Sequence, residues 1–258
     1  MTKANIYTSL APLYDRLMID VDYESWADYI DEIFQLHHPY PEKLLELACG
    51  TGSLAISLDG FGYYQITATD LSPEMVEIAQ LKAAEAEVDV QFRPMNFLNI
   101  DIDETFDGIY SVFDSINYLH DASQILEMLK QCEKVLKPEG LLVFDFSTPK
   151  NSMEAVDYLN NEEATSGRFR FYRKSRYDHK NRMHYNEFDI EELAADGKSV
   201  ISELKEVHEQ RIYSLQEILE IVDQTSYHLV AKYGDFDLLD ANEESARVTI
   251  VLRCQKTQ

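Results

Sequence analysis

Short apolar runs alternate with amphipathic stretches through the first 150 residues. Each run has the length of a buried strand and is rich in Val, Ile, Leu, Phe or Tyr. In the stretches between them, apolar residues recur at helical spacing, and Ser72 and Pro73 supply an N-cap and a first helical residue. The alternation predicts a parallel sheet with helices on both faces. Its strands are expected at residues 44–48, 65–69, 90–93, 108–113 and 141–146.

The pattern changes after Pro149. Three long segments look extended, and turn residues such as Asp196 and Gly197 separate them, which predicts a small antiparallel insertion. Helical spacing returns after Ser214, where Ser-Leu-Gln-Glu fits a capping box. We expect the insertion strands at 168–177, 183–190 and 200–213, and two last strands of the main sheet at 228–233 and 247–254.

These elements predict an α/β protein with a doubly wound, seven-stranded, mostly parallel sheet and a small antiparallel β insertion. Residues 1–150 would hold two N-terminal helices, at about 5–18 and 23–37, and the first part of the core. Residues 151–213 would form the insertion, and residues 214–258 would complete the sheet. Tyr7 and Tyr14 share a face of the first helix. They form either a packing stripe or part of a lid over a site.

Composition narrows the possible partners. The 258 residues carry a net charge of −24, which disfavours a long nucleic-acid footprint. Three cysteines without metal spacing suit a reducing compartment. The N-terminus lacks a signal-like apolar run, and no stretch is long and apolar enough to span a membrane. The sequence therefore predicts a cytoplasmic protein, either a monomer or a homodimer, with no membrane or metal partner.

Candidate chemistry begins where the first strand gives way to a helix, in LLELACGTGSLA. Gly50 and Gly52 allow a sharp turn and let a ligand approach the backbone. Asp70 follows Gly50 by 20 positions, at the end of the second strand, where a carboxylate can bind a ribose diol. Glu46 lies inside the first strand, within reach of a ligand ammonium. This arrangement predicts a cofactor that contains adenosine, although the loose pattern through Ala55 also fits a dinucleotide.

Residues 40–150 resemble the class I S-adenosylmethionine-dependent methyltransferases, and the last forty residues resemble them more weakly. ELACGTGSLA is similar to the glycine motif of that family, TATDLSPEMVEIA to its acidic loop and PMNFLNI to its adenine-side motif, with Asn96 where Asp is usual. The resemblance implies a Rossmann-like methyltransferase fold and S-adenosyl-L-methionine as cofactor. It assigns cofactor binding to Glu46, Ala48, Cys49, Gly50, Gly52, Asp70, Leu71, Met75, Asn96, Phe97 and Phe113.

The segments YTSLAPLYDRLM and FDSINYL further resemble a bacterial subgroup near the glycine N-methyltransferase-like enzymes. The resemblance implies in-line transfer of a methyl group to a small-molecule acceptor, by our interpretation to nitrogen. Asn117 and Tyr118 would orient that acceptor, and Tyr14 would cover the reacting end of the cofactor. Tyr118 fits plain packing equally well. His120 is expected to be a solvent or capping residue rather than a base.

Three alternatives stay open at this stage: a nicotinamide-dependent oxidoreductase, a regulatory protein that binds the cofactor without turnover, and an RNA or protein methyltransferase. Only the basic stretch at residues 168–176 supports the last of these, because basic and aromatic residues interleave there. The same stretch fits a half-buried strand, and the net charge favours that interpretation. Some of its arginines could instead bind a carboxylate on the acceptor.

Overall fold

The computed structural model describes residues 10–38 and 40–256. Two helices precede the first strand, α1 at Ala11–Leu17 and α2 at Tyr23–His37. Both fall where the sequence predicted N-terminal helices. Tyr7 and the first residues of the predicted lid lie outside the described residues, so the pairing of Tyr7 with Tyr14 stays a prediction.

The main sheet has seven strands in the order β10-β11-β5-β4-β1-β2-β3. Every neighbouring pair from β3 to β5 is parallel, whereas β11 runs antiparallel to both β5 and β10. This is the predicted doubly wound, mostly parallel sheet. The strands are β1 Lys43–Leu47, β2 Gln65–Asp70, β3 Gln91–Pro94, β4 Phe106–Ser111, β5 Leu136–Ser147, β10 His228–Gly234 and β11 Arg247–Arg253.

Helices cover both faces of this sheet, and local sequence determines where two of them begin. The Ser72 side chain accepts a hydrogen bond from the Met75 amide at the start of one helix. Ser214 and Glu217 form the predicted capping box at the start of another. Besides α2, the helices that pack on the sheet are α3 Ser53–Asp59, α4 Pro73–Ala86, α5 Ala122–Val135 and α7 Leu215–Val222.

The insertion is a four-stranded antiparallel sheet in the order β6-β7-β8-β9. Three strands match the prediction, namely β7 Phe169–Asp178, β8 Met183–Leu193 and β9 Val200–Arg211. Two elements were missed. Helix α6, Pro149–Leu159, leads into the insertion, and the polar edge strand β6, Glu162–Ser166, pairs with β7.

Burial on both faces of the sheet explains the near-continuous apolar strands. Leu44 packs toward α2 and α3, and its neighbour Leu45 packs toward α5 and α7. A third cluster lies outside the main sheet, where Leu10 and Leu13 contact Phe171 and Phe188 of the insertion. Helix α1 is therefore fixed against the insertion sheet by apolar packing.

Candidate active site

Gly50 and Gly52, in the turn between β1 and α3, have different structural roles. Both have left-handed backbones, with φ of 54° at Gly50 and 76° at Gly52. A Cβ on Gly52 would lie 2.6 Å from the Phe92 ring, so this residue serves the close packing of α3. A Cβ on Gly50 would lie 3.4 Å from Tyr14, which approaches the turn from α1. Gly50 therefore faces the site, and Gly52 supports it from behind.

Asp70 connects the second strand to this turn. Its Oδ2 accepts a hydrogen bond from the Gly50 amide at 2.9 Å, and its Oδ1 accepts one from the Ser72 amide at 2.8 Å. Burial raises the pKa of the carboxyl above its usual range, and the backbone amides oppose that shift. A carboxylate has about four acceptor positions, so Asp70 can hold the turn and still accept from a ligand.

Glu46 is a nearly buried acid at the base of the site, with 3% of its surface exposed. The Tyr110 hydroxyl donates to its Oε2 at 3.1 Å. Burial raises the pKa of Glu46 to about 8, the Tyr110 hydrogen bond lowers it, and nearby Asp70 raises it further. A buried acid of this kind favours a cationic ligand, whose charge would stabilise the carboxylate.

These groups line a cavity of about 250 Å³ at the carboxyl ends of the parallel strands, which we call the glycine-loop cavity. Of the predicted site residues, only Gly52 and Asn117 do not line it. Cys49 is a wall residue, and burial raises the pKa of its thiol well above the usual range. The predicted residues that line the cavity are Tyr14, Glu46, Ala48, Cys49, Gly50, Asp70, Leu71, Met75, Asn96, Phe97, Phe113 and Tyr118.

The sequence analysis missed part of this wall. Tyr23, the first residue of α2, lines the cavity, as do Thr51, Ser53 and Leu54 from the start of α3. The α3 residues directly follow the glycine turn, so extending the motif by a few residues would have found them. Tyr23 is distant in sequence, and nothing in its surroundings marks it.

A larger cavity of about 770 Å³ adjoins the first and is called here the insertion cavity. It lies between the N-terminal helices, the segment after β4 and the insertion sheet. Tyr14, Phe113 and Tyr118 line both cavities. Phe113 and Asp114 both have left-handed backbones, which places their side chains at this boundary. A molecule in one cavity would therefore meet a molecule in the other beside these three rings.

Asn117 has a different role from the predicted one. Its side chain is fully buried, and it contacts neither cavity. Its Oδ1 accepts from the Ser147 amide at 2.9 Å, and its Nδ2 donates to the carbonyls of Ser147 and Arg211 at 3.2 and 2.8 Å. The amide is thus used in joining β5 to the end of β9. Asn117 positions its neighbour Tyr118 and does not orient an acceptor.

His120 is exposed and lines neither cavity, as expected of a solvent or capping residue. Its amide donates to Gln124 Oε1 at 2.7 Å, near the start of α5, and its ring nitrogen Nε2 lies 2.9 Å from the Glu209 carbonyl oxygen. It therefore connects the segment after β4 to β9.

Helix α1 is tied to the glycine turn by a polar cluster. Lys82 Nζ lies 2.8 Å from Asp15 Oδ2 and also donates to the hydroxyls of Thr51 and Ser53. The Thr51 hydroxyl donates in turn to Asp15 Oδ1. This cluster brings Tyr14 over Gly50. The same helix packs against the insertion, so it forms a wall of both cavities.

The segment after β4 is held by a buried arginine. Arg247 lies 2.6 Å from both Asp114 Oδ1 and Asp145 Oδ2. Asp145 is fully buried, and its Oδ1 also accepts from the Asp114 amide at 2.7 Å. The guanidinium faces the rings of Trp26 and Phe236 at 5.9 and 5.7 Å from their centroids. This triad fixes the boundary between the cavities, and the sequence analysis did not find it.

The basic stretch of β7 is neutralised within the insertion. Ion pairs between strands join its cations to acids, in the pairs Arg168–Glu192, Arg170–Glu191, Arg173–Glu162, Lys174–Asp189 and Arg176–Glu187. Phe171 on the same strand is buried, as the alternating pattern predicts. The stretch is therefore a half-buried strand with paired charges and lacks the character of an open basic surface.

Comparison with known proteins agrees with this geometry. A family model described as "Methyltransferase domain" matches residues 44–140. The Bacillus subtilis (strain 168) protein "Putative methyltransferase YqeM" is 28% identical over 98% of each chain. The crystal structure of an S-adenosylmethionine-dependent methyltransferase from Clostridium acetobutylicum ATCC 824 aligns with a TM-score of 0.79 at 23% identity, covering 97% of this chain and 99% of that one. The sugar N-methyltransferase KedS8 from Streptoalloteichus sp ATCC 53650 aligns at 0.74 and 18% identity, over 97% and 95%.

The fold, the site and these matches together make the chain a class I S-adenosylmethionine-dependent methyltransferase. Its cofactor is S-adenosylmethionine, and the oxidoreductase and non-catalytic alternatives are set aside. Within the described ranges, none of the helices combines the length and apolarity needed to cross a bilayer. The same residues contain no cluster of three or more His, Cys, Asp or Glu side chains arranged for a metal ion.

Proposed function

We propose that the enzyme methylates a nitrogen atom of a small molecule held in the insertion cavity. The observation that carries this proposal is the meeting of two cavities at Tyr14, Phe113 and Tyr118. In this assignment the glycine-loop cavity holds the cofactor, and the larger cavity holds the acceptor. When bound, the cofactor supplies a sulfonium methyl group, and the protein supplies alignment of the acceptor with that group.

The residues of the glycine-loop cavity suit that cofactor. We assign the ribose diol to Asp70 and the methionine ammonium to the region of Glu46, directly or through water. Leu71, Met75, Asn96 and Phe97 supply an apolar slot with a polar edge for adenine. The aromatic rings at the boundary suit a sulfonium, because ring faces attract cations.

The choice of nitrogen rests on the charges around the insertion cavity. Asp20 and Asp22 line it, whereas its arginines, Arg173 and Arg247, are already paired with carboxylates, which for Arg247 include the lining residue Asp114. This balance favours an amine, which is a cation in water, over a carboxylate or a phosphate. The fold is shared with a sugar N-methyltransferase, which agrees with this assignment. The paired arginines count against an acceptor carboxylate bound by the basic stretch.

Methyl transfer from tritiated S-adenosylmethionine tests the proposal with matched pairs of acceptors. We expect label to enter glucosamine or ethanolamine and not glucose or ethylene glycol, since each pair differs at the amino group. Label in the alcohols alone, or only in RNA or protein, would contradict the nitrogen acceptor. A cytoplasmic location and a monomeric or homodimeric state remain predictions of the sequence.

Glu46 predicts that cofactor binding is linked to a proton. With a pKa of about 8, the carboxyl of the empty protein is mostly protonated at pH 7. A bound cation favours the carboxylate, so its pKa falls and a proton leaves. Cofactor affinity should therefore rise as pH increases from about 6 to 8 and then level off.

Isothermal titration at pH 7 in buffers of different ionisation enthalpy measures that proton directly. We expect release of a substantial fraction of one proton for the wild type and none for Glu46→Gln. Equal proton release by both proteins would assign the linkage to another group.

A further inference from the structure

Strand β9 directs two polar side chains inward and an apolar side chain outward. Glu206 and His208 are buried, whereas Val207 between them is 45% exposed. Burial of apolar surface alone would favour the opposite orientation, because alternate residues of a strand face opposite sides. Burying an acid and an imidazole carries a free-energy penalty that their mutual contact must offset. The inverted pattern therefore indicates that buried Glu206 and His208 have a functional role.

The contacts of Glu206 and His208 extend to Tyr118 at the boundary between the cavities. The Tyr118 hydroxyl lies 2.9 Å from His208 Nδ1, and His208 Nε2 lies 2.9 Å from Glu206 Oε1. The Leu10 amide donates to the other carboxylate oxygen of Glu206 at 3.1 Å. The edge-to-face contact of Phe188 with the imidazole, at 5.5 Å between centroids, limits the orientation of the ring. Three groups thus form a chain from the boundary to a buried acid.

We propose that Tyr118, His208 and Glu206 form a proton relay that accepts the proton of the acceptor nitrogen. The relay rests on the proposed nitrogen acceptor. An ammonium group has no lone pair, so an amine that enters as a cation must lose a proton before it can attack a methyl group. Tyr118 lines both cavities, and its hydroxyl lies 2.9 Å from His208, which lines the insertion cavity. Tyr118 is then the catalytic residue, and His208 and Glu206 act through it.

The relay begins with neutral His208 carrying its proton on Nε2. The Tyr118 oxygen takes a proton from the ammonium and passes its own hydroxyl proton to His208 Nδ1. The net change is one proton moved from the nitrogen to the imidazole, whose new positive charge faces the Glu206 carboxylate. The freed lone pair forms the N–C bond as the S–C bond breaks, and sulfur keeps that electron pair. The relay then returns its proton to solvent.

The arginines near His208 are already paired with carboxylates. Arg173 on β7 pairs with Glu162, and Arg247 on β11 pairs with Asp114 and Asp145. Burial lowers the pKa of His184 on β8; Asp114 opposes this shift and Arg173 adds slightly to it, so that imidazole stays neutral near pH 7. Asp20 and Asp22 line the cavity from the segment between α1 and α2. Glu206 is therefore the carboxylate in direct contact with the relay imidazole.

Nitrogen-15 NMR of histidine-labelled enzyme with S-adenosylhomocysteine tests the relay without an acceptor. The signals of His208, one of seven histidines, are assigned by their loss in His208→Gln. We expect the proton on Nε2, with an Nε2 resonance that shifts in Glu206→Gln. Tyr118→Phe should shift the Nδ1 resonance toward that of a nitrogen without a donor. A neutral ring protonated on Nδ1 would overturn the proposal.

Turnover with glucosamine tests the proton transfer itself. At pH 6.5 we expect kcat to fall about 100-fold in Tyr118→Phe and in His208→Gln, with KM changed little. At pH 9.5 the deficit should shrink to about tenfold or less, because solution then supplies neutral amine, which a purely structural defect would not reproduce. His228→Gln, at an exposed position of β10 that lines neither cavity, should match the wild type.

The outcomes separate the two proposals. An equal deficit at both pH values, or KM effects without kcat effects, would overturn the relay alone. If the wild type methylates alcohols and no amine, the proposal of a nitrogen acceptor is wrong. The relay, which rests on that proposal, is then wrong as well. A pH-dependent deficit, together with the expected histidine tautomer, would support both.

Discussion

Replacing Arg247 with Met should lower the free energy of unfolding by about 3–5 kcal/mol at pH 7. The guanidinium lies between Asp114 and Asp145, and Asp145 is fully buried. Removing the cation leaves the buried Asp145 and the half-buried Asp114 without their counter-charge. It also removes the support of the segment after β4, so the boundary between the two cavities should loosen.

Urea unfolding followed by circular dichroism measures this effect, and pH supplies an internal check. Burial already holds the pKa of Asp145 above its usual range, and loss of Arg247 would raise it further. Protonation of Asp145 then removes the unpaired charge from the variant. The loss in free energy of unfolding should therefore be largest near neutral pH and shrink as pH falls toward about 4. A deficit independent of pH would point to lost packing against Trp26 and Phe236 instead.

Arg253→Met is the matched control, because Arg253 lies at the other end of the same strand. It donates to the His37 carbonyl at 2.8 Å, and its acidic partner, Glu139 at 3.7 Å, is exposed. Such a pair is worth about 1 kcal/mol or less. Equal losses in the two variants would contradict the role assigned to the buried triad.

Replacing Asp70 with Ala should weaken binding of S-adenosylhomocysteine by about 100-fold or more. Each hydrogen bond to a charged group contributes about 1.5–3 kcal/mol, and the proposed ribose contact has two of them. The substitution also releases the Gly50 and Ser72 amides, which the carboxylate holds at 2.9 and 2.8 Å. Loss of affinity would thus have a direct part and a part due to the loosened turn.

A 2′-deoxyribose analogue of S-adenosylhomocysteine separates the two parts by a double-mutant cycle. The wild type should bind the analogue more weakly than the parent compound, and the Asp70→Ala protein should hardly distinguish them. If the variant discriminates as well as the wild type does, Asp70 supports the turn and another group binds the 2′-hydroxyl. Circular dichroism of both proteins verifies that the fold is retained.

The fold was predictable from the sequence where local residues, such as helix caps, mark the start of an element. Ser72 with Pro73, and Ser214 with Glu217, begin helices as capping chemistry requires. Thr148 and Pro149 carry the same signature at the start of α6, where Thr148 accepts from the Asn151 amide, so this helix was within reach and was missed. Strand β6 is different. It is a short, polar edge strand, and only its pairing with β7 distinguishes it from a loop.

The site was predictable where its residues lie close together in sequence. Glu46, Gly50 and Asp70 belong to one strand-turn-helix-strand unit, so spacing alone brings them together. His208 and Arg247 reach the same region from the insertion and the last strand, and their sequence surroundings resemble ordinary charged strands. Asn117 was misjudged for the opposite reason. It stands beside Tyr118 in sequence, yet its side chain turns into the protein to bind backbone.

Helix α1 is a wall shared by the cavities that we propose for the cofactor and for the acceptor. Tyr14 lines both cavities, and the helix rests on the insertion while Asp15 pairs with Lys82 beside the glycine turn. Displacement of this one helix would therefore open both cavities on that side. The Lys82–Asp15 pair is partly exposed, so ionic strength screens it. We therefore expect added salt to ease access to both cavities together.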